Sequence, residues 1–348
     1  MKIAIIGCGA IAANRHAPAV FADPEAELYA VCDPVKENAD ALADKYKTRA
    51  VYDIDDVVKD PRVDAVIVCT PERFHCANVI AALEAGKDVL CEKPLAVSSE
   101  EGARIMEAWK KSGRRLMVAF AQRLNAEHRL ARKLLRDGAI GRPIAFRTNL
   151  AHKGAEYAGL GEPAADFYDR KITGIGDVMQ SVGCHRVDLV PYLLGSPIKA
   201  VSAMTSTIDK KLADGRAIPA ADHAMIHAEL ENGCVGTLWI SWCDYGEMER
   251  GTVVYGTEGV MRMNAPSGVQ IQYRDGHTES LAAEESENSW QEITHHFIAA
   301  LNGKEDPVCD GQDGMNCLQV LDAIKRSAEN ECRVEVVQKG DNNGRVHP

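Results

Sequence analysis

The stretch Lys2-Ile3-Ala4-Ile5-Ile6-Gly7-Cys8-Gly9-Ala10-Ile11-Ala12 decides the fold of this chain. Its first half is a short, continuous apolar run, which is typical of a buried strand. Its second half is a Gly-x-Gly-x-x-Ala motif that follows the strand directly and opens a helix, the context in which this motif binds a dinucleotide. The first glycine allows a tight turn, the second lets backbone amides approach a pyrophosphate, and the alanine keeps helix and strand close. We therefore predict that the cofactor-binding residues include Gly7, Gly9, Ala10, Ile11 and Ala12.

Strand and helix signals alternate through the rest of the first third of the chain. Further buried strands are predicted at 28–32, 64–69, 88–91 and 116–120, with helices at 39–46, 75–85 and 99–112. Such alternation is typical of βαβ units and of a parallel sheet covered on both faces. We therefore expect an α/β protein whose residues 1–121 form a doubly wound, Rossmann-type domain.

The pattern changes after about residue 122 to longer, alternating strands. These are predicted at 143–151, 200–208, 223–230, 235–242, 251–255, 260–263 and 269–273. Helices are predicted at 177–194, 289–301 and 313–329, and the acidic run 275–288 is expected to be a surface loop. The pattern favours an open, largely antiparallel or mixed sheet in an α+β domain over 122–338, followed by a polar tail at 339–348.

Length, charge and cysteine usage limit the class of protein. A chain of 348 residues is long enough for two domains, and its net charge of −11 argues against nucleic acid or an anionic membrane as a partner. There is no apolar run of bilayer length and no signal-peptide pattern at the start. None of the eleven cysteines forms a C-x-x-C pair, and the adjacent His295 and His296 lack helical metal-ligand spacing. We expect a cytoplasmic protein with reduced cysteines and no metal.

Asp33 ends the second predicted strand, 21 residues after Ala12. A carboxylate there can accept both ribose hydroxyls of NAD and would repel the extra phosphate of NADP. The alternative is that Asp33 only begins a turn with Pro34. We predict ribose binding, and hence NAD in preference to NADP.

Two further segments follow strands at the same edge of the predicted sheet. Thr70 and Pro71 follow the third long strand, where they either face the cofactor or serve as an ordinary helix start. Lys93 follows the strand at 88–91 and points toward the crevice where a nicotinamide ring would lie. The alternative for Lys93 is a solvated charge beside the Glu92-Lys93-Pro94 turn.

With Thr70-Pro71-x-x-x-His75 and Glu92-Lys93-Pro94, the chain resembles the Gfo/Idh/MocA family of glucose–fructose oxidoreductases and inositol dehydrogenases. The likeness covers nearly the whole length and includes Gly183-Cys184-His185-Arg186-Val187-Asp188 and the segment 305–314. It implies a Rossmann domain followed by a substrate-binding and oligomerisation domain with an open sheet. It also implies an NAD(P)-dependent oxidoreductase that forms homodimers or homotetramers through the C-terminal sheet.

The resemblance implies roles for individual residues. Lys93 and His185 would flank the substrate carbon beside the nicotinamide, while His75 and Glu92 would join the cofactor-binding set. The same two groups suit the oxidation of a secondary alcohol. The reaction needs a base for the hydroxyl proton, which a neutral imidazole can supply, and a lysine can donate a hydrogen bond to the oxygen. The alternative for His185 is a hydrogen-bonded helix histidine.

The chain departs from the family pattern four residues before His185. Where the family usually has a substrate-binding or catalytic aspartate, this chain has Ser181. Serine can donate or accept a hydrogen bond but supplies no charge. Either Ser181 binds a substrate hydroxyl, or Asp177, one turn earlier, reaches inward instead.

Three more polar residues are candidate polyol ligands by position, namely Arg123, His152 and Tyr157. Each could equally be a surface loop residue. The leading hypothesis is an NAD-dependent oxidoreductase that acts on a secondary hydroxyl of a sugar, glycoside or cyclitol. The alternatives are an enzyme that retains its cofactor and uses transient oxidation for glycoside cleavage or epimerisation, and a non-catalytic sugar or NAD sensor.

Overall fold

The computed structural model describes residues 1–154, 177–212, 214–246, 249–265, 268–283 and 289–337. Its first sheet has six parallel strands in the order β3-β2-β1-β4-β5-β6. The strands are β1 Lys2–Ile6, β2 Glu27–Cys32, β3 Arg49–Val51, β4 Ala65–Val68, β5 Asp88–Cys91 and β6 Leu116–Val118. The strand order reverses between β1 and β4, and ligands of such sheets bind in the crevice beyond the carboxyl ends of the strands at this point.

Nine α-helices lie in the described part of the chain. They are α1 Ala17–Ala22, α2 Lys36–Tyr46, α3 Ile54–Val58, α4 His75–Glu84, α5 Ser99–Ser112, α6 Ala126–Arg136, α7 Cys184–Leu194, α8 Ser289–Leu301 and α9 Gly311–Asn330. Wide π turns, Ala12–His16 and Met179–Gly183, lead directly into α1 and α7. Short 3-10 turns, Glu72–Phe74 and Ala121–Leu124, precede α4 and α6.

The second sheet has nine strands in the order β14-β13-β12-β11-β7-β10-β9-β8-β15. Its strands are β7 Pro143–Ala151, β8 Ile198–Ser206, β9 His223–Leu230, β10 Val235–Ser241, β11 Glu249–Gly256, β12 Gly259–Ala265, β13 Gly268–Tyr273, β14 Thr278–Ala282 and β15 Val334–Glu335. Only β7 and β10 pair in parallel, so the sheet is mixed and mostly antiparallel, as predicted. Alternate residues of β9 are buried, which leaves its other face open.

Several elements differ from the sequence prediction, which did not include the short elements β3, α3 and β15. The run 275–288 was expected to be a loop, but Thr278–Ala282 forms the edge strand β14; this prediction was wrong. Its residues are mostly polar and exposed, so the strand lacks the apolar alternation that would reveal it. Helix α6 was also missed, because one of its few buried positions is a histidine, His128.

The C-terminal helices pack back onto the first sheet's helices. Helix α9 packs against both α5 and β8, and a Cβ on Gly102 would lie 2.7 Å from a methyl group of Leu318. Helix α8 packs against α1, where His295 contacts the carboxylate of Asp23 at 2.8 Å. The two halves of the chain therefore pack directly against each other. Within the described ranges, no helix combines the length and apolar character that a membrane span requires.

Candidate active site

The glycine turn after β1 has the geometry that a bound dinucleotide requires. Gly7 has φ +93°, its N–H donates to the carbonyl of Cys32 at 2.7 Å, and a Cβ there would lie 2.7 Å from the backbone of Thr70. A Cβ on Gly9 would meet nothing within 4 Å, so this side of the turn is open. Ala12 is fully buried against the sheet. The residues present thus fit a pyrophosphate bound over the turn, next to the start of the helix at Ala10 and Ile11.

Asp33 lies at the carboxyl end of β2, beside the glycine turn. Its Oδ2 accepts a hydrogen bond from the N–H of Cys8 at 2.8 Å, and its Oδ1 accepts one from Val35 at 2.9 Å. A carboxylate has about four acceptor positions, so two bonds leave capacity for ribose hydroxyls. The contact with Cys8 ties this carboxylate directly to the turn.

Glu92 is buried and forms a hydrogen bond with a histidine that the sequence analysis did not single out. Nε2 of His16 lies 2.9 Å from Oε1 of Glu92, and Nδ1 lies 2.8 Å from Oγ1 of Thr294 on α8. Burial raises the pKa of Glu92, but the hydrogen bond and charge of His16, with the charges of Lys93 and Arg15, outweigh burial and bring it to about 2. Glu92 is therefore anionic at neutral pH. Helical periodicity after Ala12 places His16 on the face toward the sheet and could have revealed it.

His75 joins the two loops at the carboxyl edge of the sheet. Its Nδ1 lies 2.8 Å from the carbonyl oxygen of Pro94, and its Nε2 lies 2.8 Å from that of Thr70. Burial lowers the pKa of His75, although both carbonyl contacts favour the protonated ring. Through these two contacts the buried side chain of His75 holds the Thr70-Pro71 and Lys93-Pro94 segments together. The Lys93–Pro94 peptide bond is cis.

Lys93 contacts the turn that leads into α7, the helix that carries His185. The ammonium of Lys93 donates to the carbonyl oxygen of Ser181 at 2.7 Å, and Ser181 precedes His185 by about one helical turn. Burial and then the charge of Lys93 lower the pKa of His185 well below its ordinary value. The imidazole is therefore neutral at pH 7, next to a cation that can donate hydrogen bonds.

Asp188 shares its motif with His185 but interacts with a different group. Its carboxylate accepts hydrogen bonds from the guanidinium of Arg123 at 2.6 to 3.2 Å. Arg123 also donates to Asp313 at 2.9 Å and to the carbonyl of Val308 at 2.9 Å. This cluster ties α7 to α9 and leaves Arg123 buried. The hydrogen bonds of its guanidinium go to Asp188, Asp313 and the Val308 carbonyl, which corrects the expectation that Arg123 is a polyol ligand.

Two of the remaining predicted substrate ligands, Asp177 and His152, accept hydrogen bonds from nearby backbone N–H groups. Oδ1 of Asp177 accepts hydrogen bonds from the N–H groups of Met179 and Gln180 at 2.8 and 3.0 Å, so this oxygen caps the turn that leads to α7. His152 follows β7, and its Nδ1 accepts from the N–H of Gly154 at 3.0 Å. Tyr157 lies outside the described residues.

Glu72 is a second residue that the sequence analysis did not assign. It follows Pro71 in the 3-10 turn beyond β4, and its side chain is buried near Lys93. The only sequence signal was a glutamate at the carboxyl end of a buried strand. Among the described residues, no group of three His, Cys, Asp or Glu side chains has the arrangement of a metal site.

The chain is similar to several proteins named as sugar or inositol dehydrogenases. The chain is 28% identical to D-glucoside 3-dehydrogenase of Escherichia coli (strain K12), over 97% of both chains. It is 30% identical to scyllo-inositol 2-dehydrogenase (NAD(+)) of Bacillus subtilis (strain 168), over 74% of this chain and 72% of that protein. The solved structure of a levoglucosan dehydrogenase in complex with NADH superposes with a TM-score of 0.87 and 25% identity, over 97% of this chain and 100% of that chain.

Two family models match consecutive parts of the chain. Residues 1–120 match the GFO_IDH_MocA oxidoreductase family with an NAD-binding Rossmann fold, and residues 128–262 match a GFO/IDH/MocA C-terminal domain. These matches, together with the glycine turn, Asp33 and the Lys93-Pro94 segment, show that the chain belongs to the Gfo/Idh/MocA family of oxidoreductases.

Proposed function

We propose that this oxidoreductase oxidises a secondary hydroxyl of a sugar, glycoside or cyclitol, or reduces the corresponding ketone, with NAD as its cofactor. The observation that carries the proposal is the hydrogen bond from Lys93 to the carbonyl of Ser181, which sets a cation of the first lobe beside the imidazole of the second. Relatives named as glucoside and inositol dehydrogenases support the substrate class.

The glycine turn and Asp33 would bind the cofactor. Gly7, Gly9 and the start of the helix would bind its pyrophosphate, and Asp33 would accept hydrogen bonds from a ribose. Thr70, Pro71, Glu92 and Lys93 border the other side of the same crevice and would position the nicotinamide end. Bound NAD supplies the hydride acceptor; the chain supplies binding, orientation and proton handling.

Lys93 and His185 would manage the proton of the reacting hydroxyl. A neutral imidazole can accept a hydroxyl proton, and burial keeps His185 in that form at pH 7. The ammonium of Lys93 can donate a hydrogen bond to the substrate oxygen and stabilise the negative charge that develops there. The two groups thus have complementary tasks on one oxygen.

Substrate hydroxyls would contact residues near the start of α7. We propose Ser181 as a ligand through its hydroxyl, with His152 and Tyr157 as further candidates. Asp177, whose Oδ1 caps the turn, is the alternative candidate to Ser181.

We further propose that the protein assembles into homodimers or homotetramers through the open face of the second sheet. Met204, Met225 and Trp239 lie side by side across β8, β9 and β10 on that face. Met204 is 58% exposed and Met225 is 52% exposed, and an apolar row of this kind is typical of an interface. Analytical ultracentrifugation of Met225→Glu should show a shift toward monomer, whereas an unchanged mass would exclude this face.

The test of the function is NADH formation from NAD with a panel of sugars, glycosides and inositols. We expect net NADH with at least one polyol and none with primary alcohols. Protein that purifies with bound NAD and converts a glycoside without net NADH would favour the retained-cofactor alternative. Tight binding of a sugar without any product would instead favour a sensor.

A further inference from the structure

His16 is a fully buried histidine whose two ring nitrogens both have polar partners. It ends the π turn Ala12–His16, which begins at the last residue of the Gly-x-Gly-x-x-Ala motif. Its Nε2 lies 2.9 Å from Oε1 of Glu92, and its Nδ1 lies 2.8 Å from Oγ1 of Thr294, which is also buried. Rotation of the ring would break both contacts at a place where water cannot replace them, so the ring is held in one orientation.

The carboxylate of Glu92 links this histidine to the backbone of Lys93. Oε1 of Glu92 faces His16, while Oε2 accepts a hydrogen bond from the N–H of Lys93 at 3.1 Å. A carboxylate only accepts hydrogen bonds, so Nε2 of His16 is the donor in their contact. His16 therefore fixes the direction in which Glu92 presents its second oxygen to Lys93.

The side chain of Lys93 extends the contacts into the second half of the chain. Its Nζ donates to the carbonyl oxygen of Ser181 at 2.7 Å, in the turn that leads into α7. A continuous series of polar contacts therefore runs from α8 to this turn, through Thr294, His16, Glu92, Lys93 and Ser181. The series holds the lysine at both its backbone and its ammonium.

We propose that His16 is a positioning residue for the oxidation, which acts by holding Glu92 against the backbone of Lys93. The inference rests on the proposed function, in which the ammonium of Lys93 lies against the reacting hydroxyl. Placement of such a group matters steeply, since an error of about 1 Å can lower a rate about a hundredfold. Loss of the histidine should lower kcat more than it weakens NAD binding, because the glycine turn and Asp33 would still bind the pyrophosphate and ribose.

Two substitutions separate the two contacts of His16. The amide nitrogen of glutamine has about the reach of Nε2, so His16→Gln keeps a donor for Glu92 and loses the contact with Thr294. The amide nitrogen of asparagine has about the reach of Nδ1, so His16→Asn keeps a contact with Thr294 and loses Glu92. Each variant gives up one buried contact, so the two should unfold at similar temperatures. Thr294→Val is the matched control, because it removes the contact on the side away from Lys93.

The first test measures how firmly Lys93 is held and needs no turnover. The dipeptide Glu-Lys occurs once in the sequence, at Glu92-Lys93. The full chain, labelled with ¹³C at the main-chain carbonyls of glutamate and with ¹⁵N in lysine, therefore gives one backbone cross-peak, from the amide of Lys93. Hydrogen exchange of this amide shows whether its bond to Glu92 persists. We expect exchange to be roughly tenfold faster or more in His16→Asn, and close to the wild-type rate in His16→Gln and Thr294→Val.

The second test compares the kinetics of alcohol oxidation with thermal unfolding of the same proteins. His16→Asn should lose roughly tenfold or more of kcat, with a smaller change in the dissociation constant of NAD. His16→Gln should recover most of that loss although its stability is no higher. Thr294→Val should be less stable than wild type but much closer to it in kcat than His16→Asn is.

A wild-type rate of exchange for the Lys93 amide in His16→Asn would overturn the inference. Equal losses of kcat in His16→Asn and His16→Gln would also overturn it, because a purely structural histidine would lower activity only in step with stability. Absence of any turnover by wild type would instead contradict the proposed function. The exchange rate of the Lys93 amide would then decide alone whether His16 holds this segment.

Discussion

The ammonium of Lys93 donates to the main-chain carbonyl of Ser181 across 2.7 Å, although the two residues lie 88 positions apart. The acceptor is a backbone atom, so the contact does not depend on the side chain at position 181. It follows that the exchange of the family's usual aspartate for serine leaves the placement of Lys93 intact. What the exchange removes is a carboxylate, so position 181 supplies an uncharged hydroxyl instead.

The two glycines of the turn should respond differently to alanine. In Gly7→Ala the new methyl would collide with the backbone of Cys69 and Thr70, and φ would be strained, so we expect a marked loss of stability. In Gly9→Ala the methyl points into open space, so the fold should be unchanged while NAD affinity falls roughly tenfold or more. Thermal unfolding and calorimetric NAD binding would check this. Equal NAD affinity in Gly9→Ala would contradict the assigned phosphate site.

Asp33 should determine the choice between NAD and NADP. Asp33→Ala removes ribose hydrogen bonds and the repulsion of a 2′-phosphate, so we expect the NAD dissociation constant to rise roughly tenfold. Discrimination against NADP should fall at the same time. Asp33→Asn is the matched control, because an amide oxygen can still accept from the N–H of Cys8. Unchanged selectivity in Asp33→Ala would refute the ribose assignment.

Asp177 should contribute to stability through its cap. Asp177→Ala leaves the N–H groups of Met179 and Gln180 without this acceptor and should lower the free energy of unfolding by about 1 kcal/mol. Asp177→Asn retains an acceptor and should cost much less. Urea unfolding of the three proteins measures the difference. If Asp177→Asn lowers the free energy of unfolding as much as Asp177→Ala does, Asp177 does not stabilise the protein through this cap.

Buried histidines should make the protein less stable in mild acid. Burial lowers the pKa of His128 from 6.5 to about 4, and burial also lowers the pKa values of His75 and His185. The unfolded chain therefore binds more protons below pH 6.5. The free energy of unfolding should fall as pH drops from 6.5 toward 4, by about 1.4 kcal/mol per pH unit for each such histidine.

Urea unfolding at several pH values, with His128→Gln for comparison, checks this dependence. Between pH 6.5 and 4, the free energy of unfolding of His128→Gln should depend less steeply on pH than that of wild type, by the equivalent of one bound proton. A slope identical to that of wild type would show that His128 titrates in the folded protein as it does in the unfolded chain.

The sequence predicted the architecture well wherever local patterns were strong. The Gly-x-Gly-x-x-Ala motif, the apolar runs of β1, β2, β4, β5 and β6 and the alternation of β9 each indicated their elements correctly. The prediction missed strand β14, because an edge strand exposed on both faces needs no apolar side chains. The domain boundary near residue 121 stays a prediction, and α8 already crosses it by packing on α1.

The sequence predicted only those site residues that belong to a recognisable motif. Lys93 and His185 came from motif positions, but the burial of Arg123 depends on Asp188 and Asp313, which are distant in sequence. His16 was missed for the same reason, since its partners Glu92 and Thr294 lie far away in the sequence. Pairwise burial of this kind is a property of the fold rather than of any local segment.

The central claim, that Lys93 lies against the reacting hydroxyl, is tested most directly by the single-turnover rate of NADH formation in Lys93→Met. Ser181→Ala serves as the matched control, because it keeps the backbone acceptor of Lys93. The account predicts a loss of a hundredfold or more in Lys93→Met with NAD affinity much less affected, and a far smaller loss in Ser181→Ala. A rate in Lys93→Met equal to that of wild type would contradict it.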